Sequence, residues 1–267
     1  MELKSLSIII VNYNNYELTN ECINSVLNTV KNLEYEIIVV DNNSPNDSYD
    51  KIYEKFGEVE NVTVIKSKEN AGFGAGNNLG AEKAIGEYLL FLNPDILVID
   101  NAIEKMLNTI KGNQDIGLLS GKLLNADKSI QYSCRRILPL NEFLLCRTPL
   151  SKFSSKKKDE YNNKYLMRDF DHNMSSEVDW VMGACMIIKR KFFFELGEFS
   201  KEYFMYFEDV DLCYKVRKAG KKVFYLADAE MIHLHNQEST KKLTKMTIVH
   251  LKSMIKFYYK YYFNKFN

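Results

Sequence analysis

Residues 88–95, Tyr-Leu-Leu-Phe-Leu-Asn-Pro-Asp, constrain the fold of this chain more than any other segment. An unbroken apolar run of this length is typical of a strand that is buried on both faces of an α/β sheet. Proline lacks a ladder donor, and asparagine and aspartate favour turns, so the strand is predicted to end before Asn93. Asp95 then lies just beyond the carboxyl end of a central strand, where open α/β sheets bind their ligands. The alternative for a lone carboxylate here is a cap on the next helix.

Strand and helix patterns alternate through the first half of the chain. Apolar runs of strand length are separated by polar loops and by segments whose apolar residues recur at helical spacing. This alternation predicts an α/β fold with a mainly parallel central sheet flanked by helices. The predicted strands are residues 6–11, 36–41, 62–66 and 88–92, and the predicted helices are 17–29, about 47–56, and one that follows Asn78 and reaches Ile85.

The second half is less regular. Residues 125–176 are polar and basic, and they are predicted to form loops and short helices. A strand-like run follows at 178–188. The acidic cluster at 208–211 then opens a helix that Gly220 ends. Because no repeat or low-complexity linker separates the halves, they are expected to form one continuous domain.

Composition argues against several classes of protein. The 267 residues carry a formal net charge of +1, which gives no argument for a nucleic-acid partner. The five cysteines are scattered and include no C-x-x-C pair, so neither a disulfide framework nor a zinc site is indicated and a cytoplasmic location is favoured. No signal-peptide pattern opens the sequence, and no apolar run approaches the ~20 residues that span a bilayer. We expect a soluble or at most membrane-surface-bound protein.

A glycine-rich segment, residues 70–80, follows the third predicted strand. It does not match G-x-G-x-x-G, because Leu79 stands at the last required position and because a dinucleotide fingerprint would follow the first strand. The pattern therefore argues against a dehydrogenase. Glycines before a helix still allow the backbone to approach a phosphate, whose charge the helix N-terminus favours. A flexible turn is the alternative.

Asp41 ends the second predicted strand as Asp95 follows the fourth. In a parallel sheet both carboxylates reach the same edge and can serve one cleft. Asp41 can accept a hydrogen bond from a ribose hydroxyl or a base N–H, or it can cap its own turn. Asp95 can hold a divalent cation, whose charge would offset a pyrophosphate leaving group.

A second acidic cluster contains Glu208, Asp209 and Asp211, directly after five residues that include four aromatic side chains. Stabilisation by the helix dipole is the structural explanation for carboxylates in a first helical turn. Apolar neighbours also raise the pKa of a carboxyl group and suit it to proton transfer. His233 and His235 end a later apolar run, and with Asp95 available in the chain they favour a metal ligand there.

These motifs together resemble the inverting glycosyltransferases of family 2, with the GT-A fold, and are most similar to the rhamnosyltransferase-like bacterial members. Each motif is weak alone, but they occur in family order over about residues 6–239. The matching segments are Ser7–Asn14, Val39–Ser44, Asn70–Asn77, Phe91–Asp95, Asp179–Ala184 and Phe204–Leu212.

The resemblance implies a role for each segment. Asp209 corresponds to the general base, with Glu208 beside it. Asp95 corresponds to the last carboxylate of a metal-binding D-x-D motif whose first position is Asn93 here, and His233, which fits better than His235, would complete a Mg²⁺ or Mn²⁺ site. The donor-binding residues implied are Asn12, Tyr13, Asn14, Asp41, Asn70, Gly72, Phe73, Asn77 and Asn93. The acceptor-side residues implied are Trp180, Gly183 and Ala184.

The activity implied is metal-dependent transfer of a sugar, with dTDP-L-rhamnose as the candidate donor, to a hydroxyl of a lipid-linked bacterial surface polysaccharide. Residues 1–238 would form the GT-A domain, about 1–120 binding the nucleotide sugar and 121–238 carrying the acceptor and catalytic half. The enzyme would work at the cytoplasmic face of the plasma membrane. A non-catalytic nucleotide-sugar-binding or scaffolding subunit is the alternative, which the joint presence of Asp95, Glu208 and Asp209 argues against.

The C-terminal residues 239–267 are predicted to form a basic amphipathic helix. Its apolar residues recur at helical spacing, lysines occupy the other side, and no acidic residue follows Glu238. Such a helix suits an anionic membrane interface. Packing against its own domain or against a homodimer partner is the alternative. The apolar residues are Leu251, Met254, Ile255, Tyr258, Tyr259, Tyr262, Phe263 and Phe266.

Overall fold

The computed structural model describes residues 4–137, 155–234 and 245–263. Within them the strands are β1 Leu6–Asn12, β2 Tyr35–Asp41, β3 Val62–Lys66, β4 Tyr88–Leu92, β5 Ile96–Val98, β6 Ile116–Leu124, β7 Cys134–Arg135, β8 Ser176–Val178, β9 Trp180–Val181, β10 Cys185–Lys189 and β11 Lys222–His233. The α-helices are α1 Tyr16–Thr29, α2 Ser48–Phe56, α3 Phe73–Lys83, α4 Ala102–Gly112, α5 Ser155–Tyr165, α6 Arg190–Glu195, α7 Glu208–Lys218 and α8 Lys245–Tyr258. A π-helical turn, Tyr259–Phe263, continues α8.

The main sheet has the order β3-β2-β1-β4-β10-β6-β11-β5, with β8 also paired to β11. Its first half is parallel, since β1 pairs with β2 and β4 and β2 pairs with β3 in the same direction. The carboxyl ends of these strands therefore meet at one edge, as predicted. Asn12, the last residue of β1, stands directly opposite Asp41, the last residue of β2.

Two antiparallel pairings bring distant segments to that same edge. β10 lies beside β4 with Cys185 opposite Leu92, so the residues that precede β10 reach the carboxyl end of β4. β11 pairs with β5 so that His233 stands opposite Ile96. The second half of the sheet thus delivers Ala184 and His233 to the edge that carries Asp95.

The sheet has a hydrophobic core on each face. Along β1, Ile8 and Ile10 face the side covered by α1, α2 and α4, whereas Ile9 and Val11 face the side covered by α3 and α7. Side chains alternate between the faces of a strand, and both faces are covered here. This arrangement explains why the strands contain nearly continuous apolar runs rather than alternating polar and apolar residues.

Two predicted elements were wrong in their extent. The segment predicted as a loop up to Asn78 is already helical from Phe73. The strand-like run 178–188 is broken into β8, β9 and β10, because the chain turns at Asp179 and again before Cys185. At the first turn the Asp179 carboxylate accepts the Ile137 N–H at 2.8 Å and pairs with Arg217 at 3.0 Å.

The C-terminal helix packs on the domain, which was one of the two arrangements considered. Its apolar residues divide between two faces: Met254, Phe257 and Tyr258 are buried against the domain, whereas other apolar residues are exposed. Residues 235–244 and 264–267, including His235 and Phe266, lie outside the described residues. Among the described residues, no helix combines the length and apolarity needed to cross a membrane.

Candidate active site

The ends of β1 and β2 are joined by a buried polar cluster. Asn12 Nδ2 donates to Asp41 Oδ2 at 2.6 Å, and the Ser44 hydroxyl and N–H donate to the same carboxylate at 2.6 and 2.9 Å. The Asn14 N–H donates to Ser44 Oγ at 2.8 Å. Asp41 is fully buried and caps its own turn, so a nucleotide would have to displace one of these donors to reach it. Tyr13, between Asn12 and Asn14 in the chain, is half exposed.

The loop before α3 is held to the same edge and to the acidic region. Asn42 Nδ2 donates to Asn70 Oδ1 at 2.9 Å and to the carbonyl of Gly72 at 3.1 Å. Gly72 has φ +100°, and a Cβ there would lie 2.0 Å from the carbonyl oxygen of Phe204. The Phe73 N–H donates to that carbonyl at 3.0 Å. The glycine is therefore required by backbone conformation and by a close backbone contact.

The other glycines of this segment serve packing inside α3 and not a phosphate cradle. A Cβ on Gly76 would lie 2.9 Å from Val11 of β1, and one on Gly74 would lie 3.0 Å from Phe199. Asn77 is buried, and its amide donates at 3.0 Å to the main-chain carbonyl four residues earlier. Of the predicted donor-binding segment, the part before the helix reaches the candidate site, whereas Asn77 belongs to the helix core.

Asp95 and His233 face each other at the carboxyl end of β4. His233 Nε2 lies 3.2 Å from Asp95 Oδ1, and the imidazole is almost completely buried. Its Nδ1 lies 2.6 Å from Gln131 Oε1, and the Gln131 amide in turn donates to Asn125 Oδ1 at 3.1 Å. Because the Gln131 oxygen can only accept, Nδ1 carries the proton and, in the neutral ring, Nε2 presents its lone pair to Asp95.

This pair fits a divalent cation in part. A carboxylate oxygen and an imidazole lone pair attract one another only when a proton or a cation lies between them. Two ligands ~2.1 Å from an octahedral ion in adjacent positions are about 3 Å apart, close to the distance observed. Among the described residues, no group of three or more histidine, cysteine, aspartate or glutamate side chains could hold a metal. Further ligands would therefore have to come from a bound diphosphate or water.

Asp209 lies in the first turn of α7 and is held by backbone donors. Its Oδ2 accepts the Gly183 N–H at 3.0 Å, and its Oδ1 accepts the Val210 N–H at 2.8 Å. Glu208 is buried, and within the described residues its Oε2 has no hydrogen-bond partner. The two neighbouring carboxyl groups therefore have very different environments.

The pKa values follow from these environments. Burial raises the pKa of Glu208 well above its ordinary value, and the charges of Asp209 and Asp211 raise it further. Burial also raises the pKa of Asp209, but the N–H groups of Gly183 and Val210 hold it down. Hydrogen bonds to a carboxylate favour its ionised form. The backbone donors therefore favour the ionised form of Asp209, and burial favours the neutral form of Glu208.

The backbone that leads into this acid pair is strained. Tyr206 has φ +67° and Phe207 has φ +71°, and both precede Glu208 directly. Left-handed conformations are rare for bulky residues and cost roughly 1–3 kcal/mol each, and they cluster at functional sites. The strain directs Glu208 and Asp209 towards β10 and α3, where a Cβ on Gly74 would lie 3.6 Å from Glu208 Cβ.

The predicted acceptor-side residues frame the acid pair and offer little surface of their own. Trp180 is buried under the Arg135 guanidinium, whose carbon lies 6.0 Å from the ring centroid. Gly183 contributes its N–H to Asp209, and the buried Ala184 accepts the Asn93 N–H at 2.8 Å. The structure therefore links the acidic cluster and the β4 edge through the two residues that directly precede β10.

The described contacts join Asn12, Asn14 and Asp41 at the ends of β1 and β2, Asp95 to His233, and Gly183 to Asp209, whereas Asn77 bonds within its own helix and Tyr13 is half exposed. Sequence reasoning missed two supporting residues, Gln131 behind His233 and Arg135, whose charge lowers the pKa of Asp209. Gln131 carries no sequence signal, since it stands alone in a polar loop. Asn42 lay inside a recognised motif without an assigned role, and its bonds to Asn70 and Gly72 supply one.

Curated relatives share most of the chain at modest identity. Agl10, the low-salt glycan biosynthesis hexosyltransferase of Haloferax volcanii, is 26% identical over 243 residues, which cover 90% of this chain and 70% of that protein. Rhamnosyltransferase WbbL of Escherichia coli is 27% identical over 195 residues, covering 70% and 69%. The N-acetylglucosaminyl-diphospho-decaprenol L-rhamnosyltransferase of Mycobacterium tuberculosis is 25% identical over 215 residues, covering 76% and 67%.

Solved structures share the fold. GalNAc-T7 with UDP, GalNAc and Mn²⁺ superposes with a TM-score of 0.68 at 17% identity, over 95% of this chain and 48% of that one. The mannosyltransferase PcManGT of Pyrobaculum calidifontis, with GDP-Man and Mn²⁺, gives 0.60 at 14% identity, over 88% and 58%. The chain thus spans about half the length of these two proteins and has the GT-A fold expected from the motifs.

The family assignment rests on the sequence itself. Glycosyl transferase family 2 matches residues 7–197, which is more than half of the chain and includes β1 through β10. The same span contains Asp41, Asp95 and the Gly183 turn that holds Asp209. The chain belongs to glycosyl transferase family 2.

Proposed function

We propose that this glycosyltransferase inverts the anomeric centre of a nucleotide-diphosphate sugar as it transfers the sugar to an acceptor hydroxyl. The observation that carries the proposal is the fixed position of Asp209, whose two carboxylate oxygens accept the N–H groups of Gly183 and Val210 at 3.0 and 2.8 Å. A general base must be held in place when the acceptor arrives, and it must be ionised. The two N–H groups hold Asp209 in place and favour its ionised form, whereas burial raises the pKa of the neighbouring Glu208.

In this mechanism Asp209 takes the proton from the acceptor hydroxyl as that oxygen attacks the anomeric carbon. A single displacement inverts the configuration at that carbon. The raised pKa of Glu208 favours its neutral form, which would keep a second negative charge away from the base and could donate a hydrogen bond. The Gly183 N–H fixes the direction from which Asp209 approaches, because a backbone donor in a turn cannot rotate away.

Asp95 and His233 are the residues that would hold Mg²⁺ or Mn²⁺. The ion would supply positive charge to offset the departing nucleoside diphosphate. Support comes from the 3.2 Å separation of the two ligating atoms and from the His233 tautomer that Gln131 fixes. Both structural neighbours carry Mn²⁺ in their solved forms.

The donor would bind along the edge formed by β1, β2 and the loop before α3. Tyr13 would contact the base of the nucleotide. Asn12 and Asp41 would bind the ribose or the base once a hydrogen bond within their cluster, such as the one between them, is broken. dTDP-L-rhamnose is the donor we favour, on the names of two relatives that are rhamnosyltransferases. The backbone around Asn70 and Gly72 would lie near the diphosphate.

A lipid-linked acceptor at the cytoplasmic membrane face completes the proposal. One relative is named for a diphospho-decaprenol acceptor. On α8 and the turn after it, an outer stripe of apolar side chains is between 40% and 60% exposed. Lys252 is exposed on the same helix. An apolar stripe with nearby lysine suits the surface of an anionic bilayer. The outer stripe consists of Ile248, Leu251, Ile255, Tyr259 and Tyr262.

A thermal-shift panel of nucleotide sugars, each with and without Mn²⁺, tests the proposed function. A ligand at a hundredfold excess over its Kd stabilises the fold by about 2.7 kcal/mol. For a chain of this size that corresponds to a rise in Tm of roughly 5–10 °C. One donor should stand apart and require Mn²⁺ for its full effect. If no nucleotide sugar raises Tm at millimolar concentration, the proposal fails.

A further inference from the structure

The inner face of α8 contacts the segment that leads into the acid pair. The Ser253 hydroxyl donates to the Met205 carbonyl at 2.9 Å, and the Lys256 ammonium donates to the Glu202 carbonyl at 2.6 Å. The Phe257 ring packs on Phe207, with centroids 5.6 Å apart. Backbone carbonyls and an aromatic side chain of residues 202–207 are therefore held by one helix from elsewhere in the chain.

The π-helical turn after α8 is anchored on a buried carboxylate of α7. Asp211 is fully buried, and its Oδ1 accepts the Tyr261 hydroxyl at 2.7 Å and the Lys260 ammonium at 3.0 Å. Lys215 lies 3.2 Å from its Oδ2. Hydrogen bonds to charged groups are about twice as strong as neutral ones. Asp211 stands two residues after Asp209 in the same helical turn.

Two consecutive residues of the π-helical turn Tyr259–Phe263 bind the same oxygen atom. Lys260 and Tyr261 both donate to Asp211 Oδ1. π-Helical turns are rare and are frequently found at functional sites.

Residues 202–207 connect the loop before α3 to the acid pair, Glu208 and Asp209. Tyr206 and Phe207 hold left-handed backbone conformations, which persist only where surrounding contacts determine them. Two residues earlier, the Phe204 carbonyl accepts the Phe73 N–H of the loop before α3. Movement of residues 202–207 would thus displace both Asp209 and the loop before α3.

We propose that α8 and its π-helical turn act as a brace that positions the acid pair, with Ser253, Lys260 and Tyr261 as positioning residues. The effect of this brace on catalysis rests on the proposed function. Its contacts occupy the face opposite to the outer stripe. One helix would therefore carry the membrane-facing surface on one side and order the Glu208–Asp209 turn on the other.

Hydrogen–deuterium exchange of the full chain tests the brace without any substrate. Lys260→Met and Tyr261→Phe each remove one of the two contacts that the π-helical turn makes with Asp211, and Lys260→Arg keeps the charge. We expect the peptide covering residues 202–212 to exchange about tenfold faster in the first two variants, as for the loss of a charge-assisted hydrogen bond. Lys260→Arg and the control Lys218→Met, an exposed lysine at the far end of α7, should match the wild type.

Turnover of dTDP-L-rhamnose separates positioning from general destabilisation. Lys260→Met should lower kcat about tenfold and leave the donor KM within about twofold, with recovery in Lys260→Arg. Exchange of residues 202–212 that is unchanged, or that rises equally in Lys218→Met, overturns the brace. If no nucleotide sugar is turned over by the wild type, the proposed function fails, while the exchange result still decides the brace.

Discussion

The Gly183 N–H donates to Asp209 Oδ2 at 3.0 Å, and this bond joins the turn before β10 to the first turn of α7. It ties the candidate base to the central sheet, because β10 pairs directly with β4. Asn93 is bound to the neighbouring Ala184 in the same turn. Two consecutive residues, Gly183 and Ala184, therefore link the acid pair to the β4 edge.

Gly183→Ala should impair catalysis more than folding. A Cβ at this position would lie 3.3 Å from Asp209 Cβ and 3.4 Å from the Phe73 ring, so one of them must shift. A displacement of a catalytic group by a fraction of an ångström lowers kcat, and we expect a loss of ~10-fold or more. Steady-state kinetics and urea denaturation measure the two effects. Gly112→Ala is the control, since a Cβ there meets nothing within 4 Å. Equal kinetics for both variants would contradict this account.

Glu208→Gln should change how stability depends on pH. The pKa of Glu208 is raised well above the ordinary value of 4.5, so the folded chain keeps a proton that the unfolded chain releases. That contribution to stability is complete below the unfolded pKa and is lost as pH rises towards the folded one. Urea denaturation from about pH 5 to about pH 8 should show the wild type losing stability relative to Glu208→Gln. If the difference in unfolding free energy between the two proteins does not vary with pH, folded Glu208 does not keep a proton that the unfolded chain releases.

Gln131→Leu should weaken metal binding through the His233 tautomer. The Gln131 oxygen holds the proton on Nδ1, and hydrogen-bond partners of a metal-binding histidine typically contribute 10–100-fold in metal affinity. Calorimetric titration of Mn²⁺ in the presence of dTDP measures the effect directly. Gln114→Leu, at an exposed position away from the site, is the matched control. Unchanged Mn²⁺ affinity in Gln131→Leu would show that Gln131 does not support metal binding.

The outer stripe should bind anionic membranes. Leu251→Ser combined with Ile255→Ser removes two half-exposed apolar side chains and touches none of the brace contacts. In a flotation gradient we expect the wild type to rise with vesicles that contain phosphatidylglycerol. The double variant should stay unbound in the bottom fraction. Ile85→Ser changes an exposed isoleucine on a different part of the surface and should float as the wild type does. A wild type that ignores both anionic and neutral vesicles would refute membrane contact.

The sequence predicted the parts of the fold that depend on local pattern. β1, β2, β3 and β4 were found within one residue of their bounds because each is an unbroken apolar run ended by turn residues. α7 was predicted from other local signals, which are an acidic first turn and a glycine after its end. The shared edge of Asp41 and Asp95 followed from parallel pairing.

Features that depend on distant pairing were not predictable. The insertion of β10 between β4 and β6 leaves no signal in the residues of β10, yet it delivers Gly183 to Asp209. The start of α3 was missed because glycines that pack closely against Val11 and Phe199 have the same composition as a flexible loop. The C-terminal helix has apolar residues on two faces, so its pattern could not show that Lys256 and Lys260 bind atoms of the domain.

The central claim is that Asp209 is the base, and Asp209→Asn tests it most directly. Asparagine retains the shape and one acceptor oxygen, which can keep the Gly183 N–H bond, but it loses the second acceptor and cannot take a proton. The measurement is single-turnover sugar transfer, together with the thermal shift that the donor produces in the same variant. We predict an unchanged donor-induced shift in Tm and a transfer rate lowered ~10²-fold or more. Transfer near the wild-type rate with donor still bound would contradict the assignment of Asp209.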